Sequence, residues 1–201
     1  MTGIAGFLFL TIFLGDDTTL DSFAKSKYHE QGNFVNQPYE YKIHRRGDKA
    51  GVILWRNGGA WINEEFIPLQ IEKKVYLSTL EEGFRTEYKI TNLSPKKVDL
   101  HFGTEFNLAL TKEAQIRSKT LAESGQYENI KEVPLIDNAL DIKVNFKFDK
   151  NTNLWHFPIQ TISQSESGFE KNYQQACLLF NWKLSLSAKA SWQTKIATSF
   201  I

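Results

Sequence analysis

The sequence is poor in the residues that staple a fold or ligate metals: its 201 residues include one cysteine, one methionine, five prolines and four histidines. A single cysteine excludes an intramolecular disulfide. Cys177 lies within the apolar run Ala176-Cys177-Leu178-Leu179-Phe180 with no activating base near it in sequence, which reads as a buried thiol and not a nucleophile. Such cysteine usage fits a reducing compartment, so a cytoplasmic location is expected. His29, His44, His101 and His156 are widely separated, no second cysteine completes a zinc set, and no EF-hand loop is present. Arg46-Gly47-Asp48 and Asn57-Gly58-Gly59 lack the spacing and the strand-to-helix setting of a phosphate cradle. No metal and no cofactor are therefore expected. Charge of one sign is missing too: 24 Lys+Arg oppose 23 Asp+Glu, so no field draws in nucleic acid or an anionic membrane. Gly3 to Leu14 is the only apolar stretch that raises the membrane question, and it falls well short of the ~20 residues a spanning helix needs. It has no Lys or Arg before its apolar core, and Asp16-Asp17 stand where a cleavage site would want small residues. Residues 1–19 are expected to be a buried strand or a non-native start.

What the chain does have is apolar and aromatic content: 41% hydrophobic residues, with 15 Phe, 7 Tyr and 5 Trp. That excludes a disordered chain, and a length of this order suits one domain burying about 70% of the unfolded surface. Signals for helix are nearly absent, while period-2 alternation recurs along the chain. Leu140, Ile142, Val144, Phe146 and Phe148 alternate with Asp141, Lys143, Asn145, Lys147 and Asp149; Phe84, Thr86, Tyr88 and Ile90 alternate with Arg85, Glu87, Lys89 and Thr91. Val75-Tyr76-Leu77 and the Phe84 strand are joined by a short Gly-ended link, which predicts a hairpin. Val98, Leu100, Phe102, Phe106, Leu108 and Leu110 share one parity, as do Ala176, Leu178, Phe180, Trp182, Leu184 and Leu186. Asn57-Gly58-Gly59 reads as a tight turn, and Thr111 to Ile130 as a long polar loop. Around ten strands with little helix predict an all-β fold, a large antiparallel β-sandwich occupying residues 20–201. Its open edges call for an upstream element or a second subunit, a homo-oligomer, over one of them.

Three sets of residues could carry chemistry. On the strand from Val98 to Leu110 the parity opposite the apolar one holds His101, Gly103, Glu105 and Asn107, an imidazole, a carboxylate and an amide able to hydrogen-bond a sugar or exchange protons with it. The same pattern is also what a half-exposed strand displays. Among the tryptophans, Trp182 and Trp192 fall on core parities, while Trp55 and Trp61 flank the predicted turn and could offer flat faces to pyranose rings; Trp155 is the fifth. The segment from Leu154 to Glu170 is dense in hydroxyls and amides without clean alternation. Within it His156, Ser163, Ser165 and Glu166 could form a hydrogen-bond network, a domain contact or a sugar contact. No nucleophile elbow surrounds either serine.

That segment, LWHFPIQTISQSESGFE followed by Tyr173-Gln174, resembles the signature "W..P..T.S.SE.GFE..YQ" of the C-terminal β-sandwich domain in the α-amylase/4-α-glucanotransferases of glycoside hydrolase family 57. Leu20-Asp21-Ser22-Phe23 with Phe34 and Pro38-Tyr39-Glu40-Tyr41 resembles the start of that domain. Ile71 to Asn92 is similar to its paired central strands, and Phe102-Gly103-Thr104-Glu105-Phe106-Asn107-Leu108 to its "fg.E.nl" strand. The resemblance runs from about Leu20 to Ile201, and residues 1–19 do not match what precedes the domain. It implies a galactose mutarotase-like supersandwich, with the catalytic carboxylates on an N-terminal (β/α) barrel that this sequence lacks.

The expectation is then an accessory, non-catalytic domain with no catalytic residue of its own. It would work with a catalytic barrel module in cis or in trans and bind an α-glucan or oligosaccharide weakly. Two alternatives stand beside it. One is a stand-alone aldose epimerase with His101 or His156 as proton donor and Glu105 as base, which rests on fold analogy alone. The other is a purely structural interaction domain.

Overall fold

The computed structural model describes residues 8–165 and 168–201. Its strands are β1 (Leu8–Leu14), β2 (Glu40–Arg46), β3 (Lys49–Ile62), β4 (Glu65–Ser78), β5 (Gly83–Asn92), β6 (Val98–Leu108), β7 (Gln115–Ile116), β8 (Lys119–Thr120), β9 (Gly125–Asp137), β10 (Ile142–Ser165), β11 (Gly168–Leu186) and β12 (Ser191–Phe200). One five-residue helix, α1 (Leu20–Ala24), follows β1; Thr19 caps it by accepting from the Ser22 backbone N–H, and Ser22 answers through its own hydroxyl.

All pairings are antiparallel, and the ladder runs β1-β6-β11-β10-β12-β5-β4-β3-β2. β10 joins two layers. Its first half pairs with β12, from Val144 opposite Phe200 to Phe148 opposite Ile196. Its second half pairs with β11, from Asn153 opposite Asn181 to Ser165 opposite Gly168. The ladder thus folds over on itself: β1, β6, β11 and the second half of β10 form one layer, and the first half of β10 with β12, β5, β4, β3 and β2 forms the other. Ring contacts cross the gap, with Tyr88 5.5 Å from Phe102, Phe106 5.4 Å from Phe146 and Trp182 5.5 Å from Trp192. This aromatic interior is the main core, and it explains why the even positions of β6 are apolar apart from Thr104 and those of β11 are apolar from Ala176 to Leu186.

A second apolar cluster covers the opposite, outer face of the first layer. Ile12 and Leu14 of β1, Trp155, Phe157 and Ile159 of β10, and Cys177 and Leu179 of β11 pack there under Phe23 of α1. The first layer is therefore buried on both faces, which erases alternation from the second half of β10. The Leu154–Glu170 segment is strand wherever it is described, buried up to Ile159 and an exposed ribbon beyond it.

Two further expectations are corrected and one is met. Asn57-Gly58-Gly59 is not a turn but lies inside β3. A Cβ at residue 59 would stand 2.4 Å from Phe66 Cζ, so glycine is there to let a ring lie across the strand. The actual β3–β4 turn is Asn63-Glu64, both in the left-handed region, with φ 49° and 66°. Thr111–Ile130 is not one long loop, since it holds β7, β8 and the start of β9. The predicted hairpin between the Val75 and Phe84 strands is present as β4 and β5.

Candidate functional site on the first layer

The odd positions of β6 point to the outer face, as the alternation requires. His101, Glu105 and Asn107 are nonetheless all buried, Glu105 beside Phe23 of α1 and Tyr28 of the chain that follows it. His101 Nε2 is 2.9 Å from Asn181 Oδ1, and its ring meets Trp155 edge-on at 6.0 Å. Burial holds His101 below the usual histidine range, and neighbouring Lys183 adds to this, against the Asn181 bond. Glu105 accepts from Asn107 Nδ2 at 2.6 Å, and burial raises its carboxyl above the ordinary range. The Tyr28 phenol is pushed up by burial and by the carboxylates of Glu30 and Glu105.

Two openings reach this face. A crevice of about 80 Å³ between Phe23, Tyr28, Glu105, Phe157 and Ile159 is far below the size of a small-molecule site. A recess of about 340 Å³ at the start of β6 is large enough for a sugar unit, and His101 borders it with Asp16, Gln31, Asn63, Lys96, Lys97 and Asp99. Its lining mixes carboxylates, amides and ammonium groups over Leu14, Ile62 and Val98, which suits a hydroxyl-rich ligand.

His101 and Glu105 are four residues apart on one strand face, roughly 13 Å along the chain. They cannot flank one anomeric centre as acid and base. His156 lies elsewhere: it faces the interior side of β10, stacked on Tyr127 at 5.8 Å and 5°, and neither ring nitrogen has a hydrogen-bond partner. Trp155, its neighbour in sequence, is on the outer face with Phe23 and His101.

The remaining predicted residues fall into two groups. Trp55 and Trp61 share the outer face of the second layer on β3, Trp55 half-buried and Trp61 54% exposed, with Trp61 5.2 Å from Phe66. Asn57 and Gln70 lie between them, joined by a 2.9 Å hydrogen bond. Ser163 sits on the exposed ribbon formed by the ends of β10 and β11 and accepts from Asn172 Nδ2 at 2.7 Å. Ser165 ends β10, and Glu166 lies outside the described residues.

Sequence reasoning missed Glu30. Its Oε1 accepts from the backbone N–H groups of Phe13 (2.8 Å) and Gly32 (2.9 Å), and burial pushes it up to about 7. Nothing in the local pattern marks it, since it is β1 that brings the Phe13 N–H to it and pairs Leu14 with its backbone. Among the described residues no three potential metal ligands converge, and no helix is long and apolar enough to cross a membrane.

The antiparallel sandwich is similar in fold to galactose mutarotase-like proteins. A galactose mutarotase-like protein from Clostridium acetobutylicum superposes with a TM-score of 0.57 over 96% of this chain and 78% of its own, at 13% identity. Within that class the chain belongs to the family described as alpha-amylase/4-alpha-glucanotransferase, C-terminal, which it matches over residues 6–196. The match takes in most of the N-terminal segment, in keeping with β1 being part of the sheet. A 4-alpha-glucanotransferase from Thermococcus litoralis is 39% identical over 158 residues, 79% of this chain and 21% of that protein. The crystal structure of the Thermococcus litoralis 4-alpha-glucanotransferase superposes with a TM-score of 0.80, at 31% identity, over 96% of this chain and 27% of its own. The chain thus spans about a fifth of the length of the curated relative it matches.

Proposed function

We propose that this C-terminal β-sandwich is an accessory, non-catalytic body that works beside a separate catalytic barrel of a 4-α-glucanotransferase or α-amylase and holds an α-glucan weakly. The observation that carries this reading is the placement of its acid–base residues. His101 and Glu105 are buried, are held toward their neutral forms and stand too far apart to act on one sugar carbon. Retaining transfer needs two carboxyl groups about 5 to 5.5 Å apart, and that chemistry is assigned to the other module. The recess beside His101 is the glucan contact, with Trp61, two residues from the recess-lining Asn63, as the aromatic surface next to it.

The test is titration of the purified chain with maltohexaose, followed by tryptophan fluorescence, together with an assay for disproportionation. Weak saturable binding without turnover is expected, and Lys97→Ala and Trp61→Ala should each weaken it several-fold. Turnover by this chain alone would overturn the non-catalytic reading, and a flat titration would overturn the glucan contact.

A further inference from the structure

The end of the ladder at β2 is open. All seven residues from Glu40 to Arg46 are exposed, and β2 pairs with β3 alone. The two-residue turn Gly47-Asp48 makes Arg46 and Lys49 a hydrogen-bonded pair, so the even residues of β2 bond to β3. The N–H and C=O groups of Tyr41, Ile43 and Arg45 then point away from the sheet, with nothing described beside them. Long exposed edges of this kind are ordinarily blunted by proline, a bulge, a covering element or charged side chains; β2 has only the last, in Glu40, Lys42, Arg45 and Arg46, so the charges decide which strand can add to it. The apolar face continues up to this edge: Tyr41 is 68% exposed, Ile43 64% and, two strands in, Leu77 57%.

The order of residues along β2 says what fits there. Laid antiparallel against itself about Ile43, the strand EYKIHRR places Glu40 opposite Arg46 at both ends, Tyr41 opposite Arg45 twice and Ile43 opposite Ile43, and leaves only Lys42 facing His44 without an attractive partner. Two opposite-charge pairs, two cation–π pairs and a central apolar pair are what a self-complementary strand requires. Shifting the register by two residues would set Glu40 against His44 and leave Arg46 unmatched, so the charges select one alignment.

We propose that β2 is a dimerisation edge, at which a second copy of this chain adds its own β2 about a twofold axis. About six backbone hydrogen bonds form through residues 41, 43 and 45, and the second layers of the two copies join into one continuous sheet. The Tyr41–Ile43–Leu77 face of one copy then runs on into that of the other.

Sedimentation velocity on the 201-residue chain over a range of concentrations tests this. A concentration-dependent dimer is expected. Glu40→Lys alone and Arg46→Glu alone should each weaken it about tenfold, because each sets like charges opposite one another. An equimolar mixture of the two variants should regain the association: at one end the lysine introduced into the first variant meets the glutamate introduced into the second, and at the other end the original Glu40–Arg46 pair re-forms. Circular dichroism melts check that both variants fold. A chain that stays monomeric at all concentrations overturns the proposal and leaves the edge to another module. A dimer indifferent to both substitutions, or one that the mixture does not restore, places the contact on another face and overturns it equally.

Discussion

The Tyr88 hydroxyl, on β5 of the second layer, meets the Thr104 hydroxyl, on β6 of the first, at 2.6 Å inside the aromatic interior. Both side chains are fully buried, so this hydrogen bond ties the layers together where no water can replace either partner. Thr104→Val strands the Tyr88 hydroxyl and should lower stability by about 1–3 kcal/mol. Tyr88→Phe should cost a similar amount. The double substitution should cost clearly less than the sum of the two, because no orphan remains. Urea denaturation of the four proteins gives the coupling, and simple additivity would show that the hydroxyls do not depend on each other.

Gly125 sits opposite His156 in the β9–β10 ladder, and a Cβ there would stand 2.3 Å from His156 Nε2. Gly125→Ala should therefore destabilise the chain by about 1–3 kcal/mol through overpacking. The same substitution in a His156→Ala background should be nearly neutral. A thermal melt of each pair reads the difference.

His156 is fully buried with both ring nitrogens unpartnered, and burial, helped by nearby Lys119, takes it from 6.5 down to about 4. Between those values the unfolded chain takes up a proton that the folded chain refuses. Stability should therefore fall as pH drops from about 6.5 to 4, by on the order of 2 kcal/mol, and this contribution should level off below that. His156→Phe should remove that acid-side slope. Denaturation midpoints at pH 7, 5.5 and 4 for both proteins decide it; parallel curves would acquit the imidazole.

Glu30 works in the opposite direction. Burial raises its carboxyl from 4.5 to about 7, so the unfolded chain ionises first. Its contribution is complete below pH 4.5 and is lost as pH rises through 7. Glu30→Gln keeps an oxygen for the Phe13 and Gly32 N–H groups without the charge. The variant should match the parent near pH 4 and exceed it at pH 8 by about 1–2 kcal/mol. A variant less stable than the parent at pH 8 would mean the ionised form is the one the site favours.

The parts legible in the sequence were those buried on one face only. β5 shows this, since its alternation is the direct imprint of one core; β6 is buried on both faces and stayed legible only because its outer positions are His101, Gly103, Glu105 and Asn107 and not apolar residues. β10 hid itself because Leu154 and His156 are buried on one side and Trp155 and Phe157 on the other, so no period survives. That double burial is also why His156 could not be separated from His101 by parity: the two point into different compartments. The glycines of β3 misled for a related reason. The ring that needs Gly59 to be small arrives from another strand, and local sequence carries no trace of a distant side chain. Asn63-Glu64 turned the chain without a glycine, so the true hairpin had a weaker mark than the false one. Glu30 was invisible because β1, which buries it and supplies the Phe13 N–H, lies seventeen residues away in sequence.

β12 lies between β10 and β5, with Trp192 and Ile196 turned toward the interior. It follows the other eleven strands in sequence and yet is central in the sheet. The meander from β2 to β5 and the β6–β11 portion have no direct ladder between them until this strand zips into the gap. The two halves should therefore be joined late in folding, and a fragment cut before Ser191 should leave the edges of β5 and β10 unpaired and prone to association.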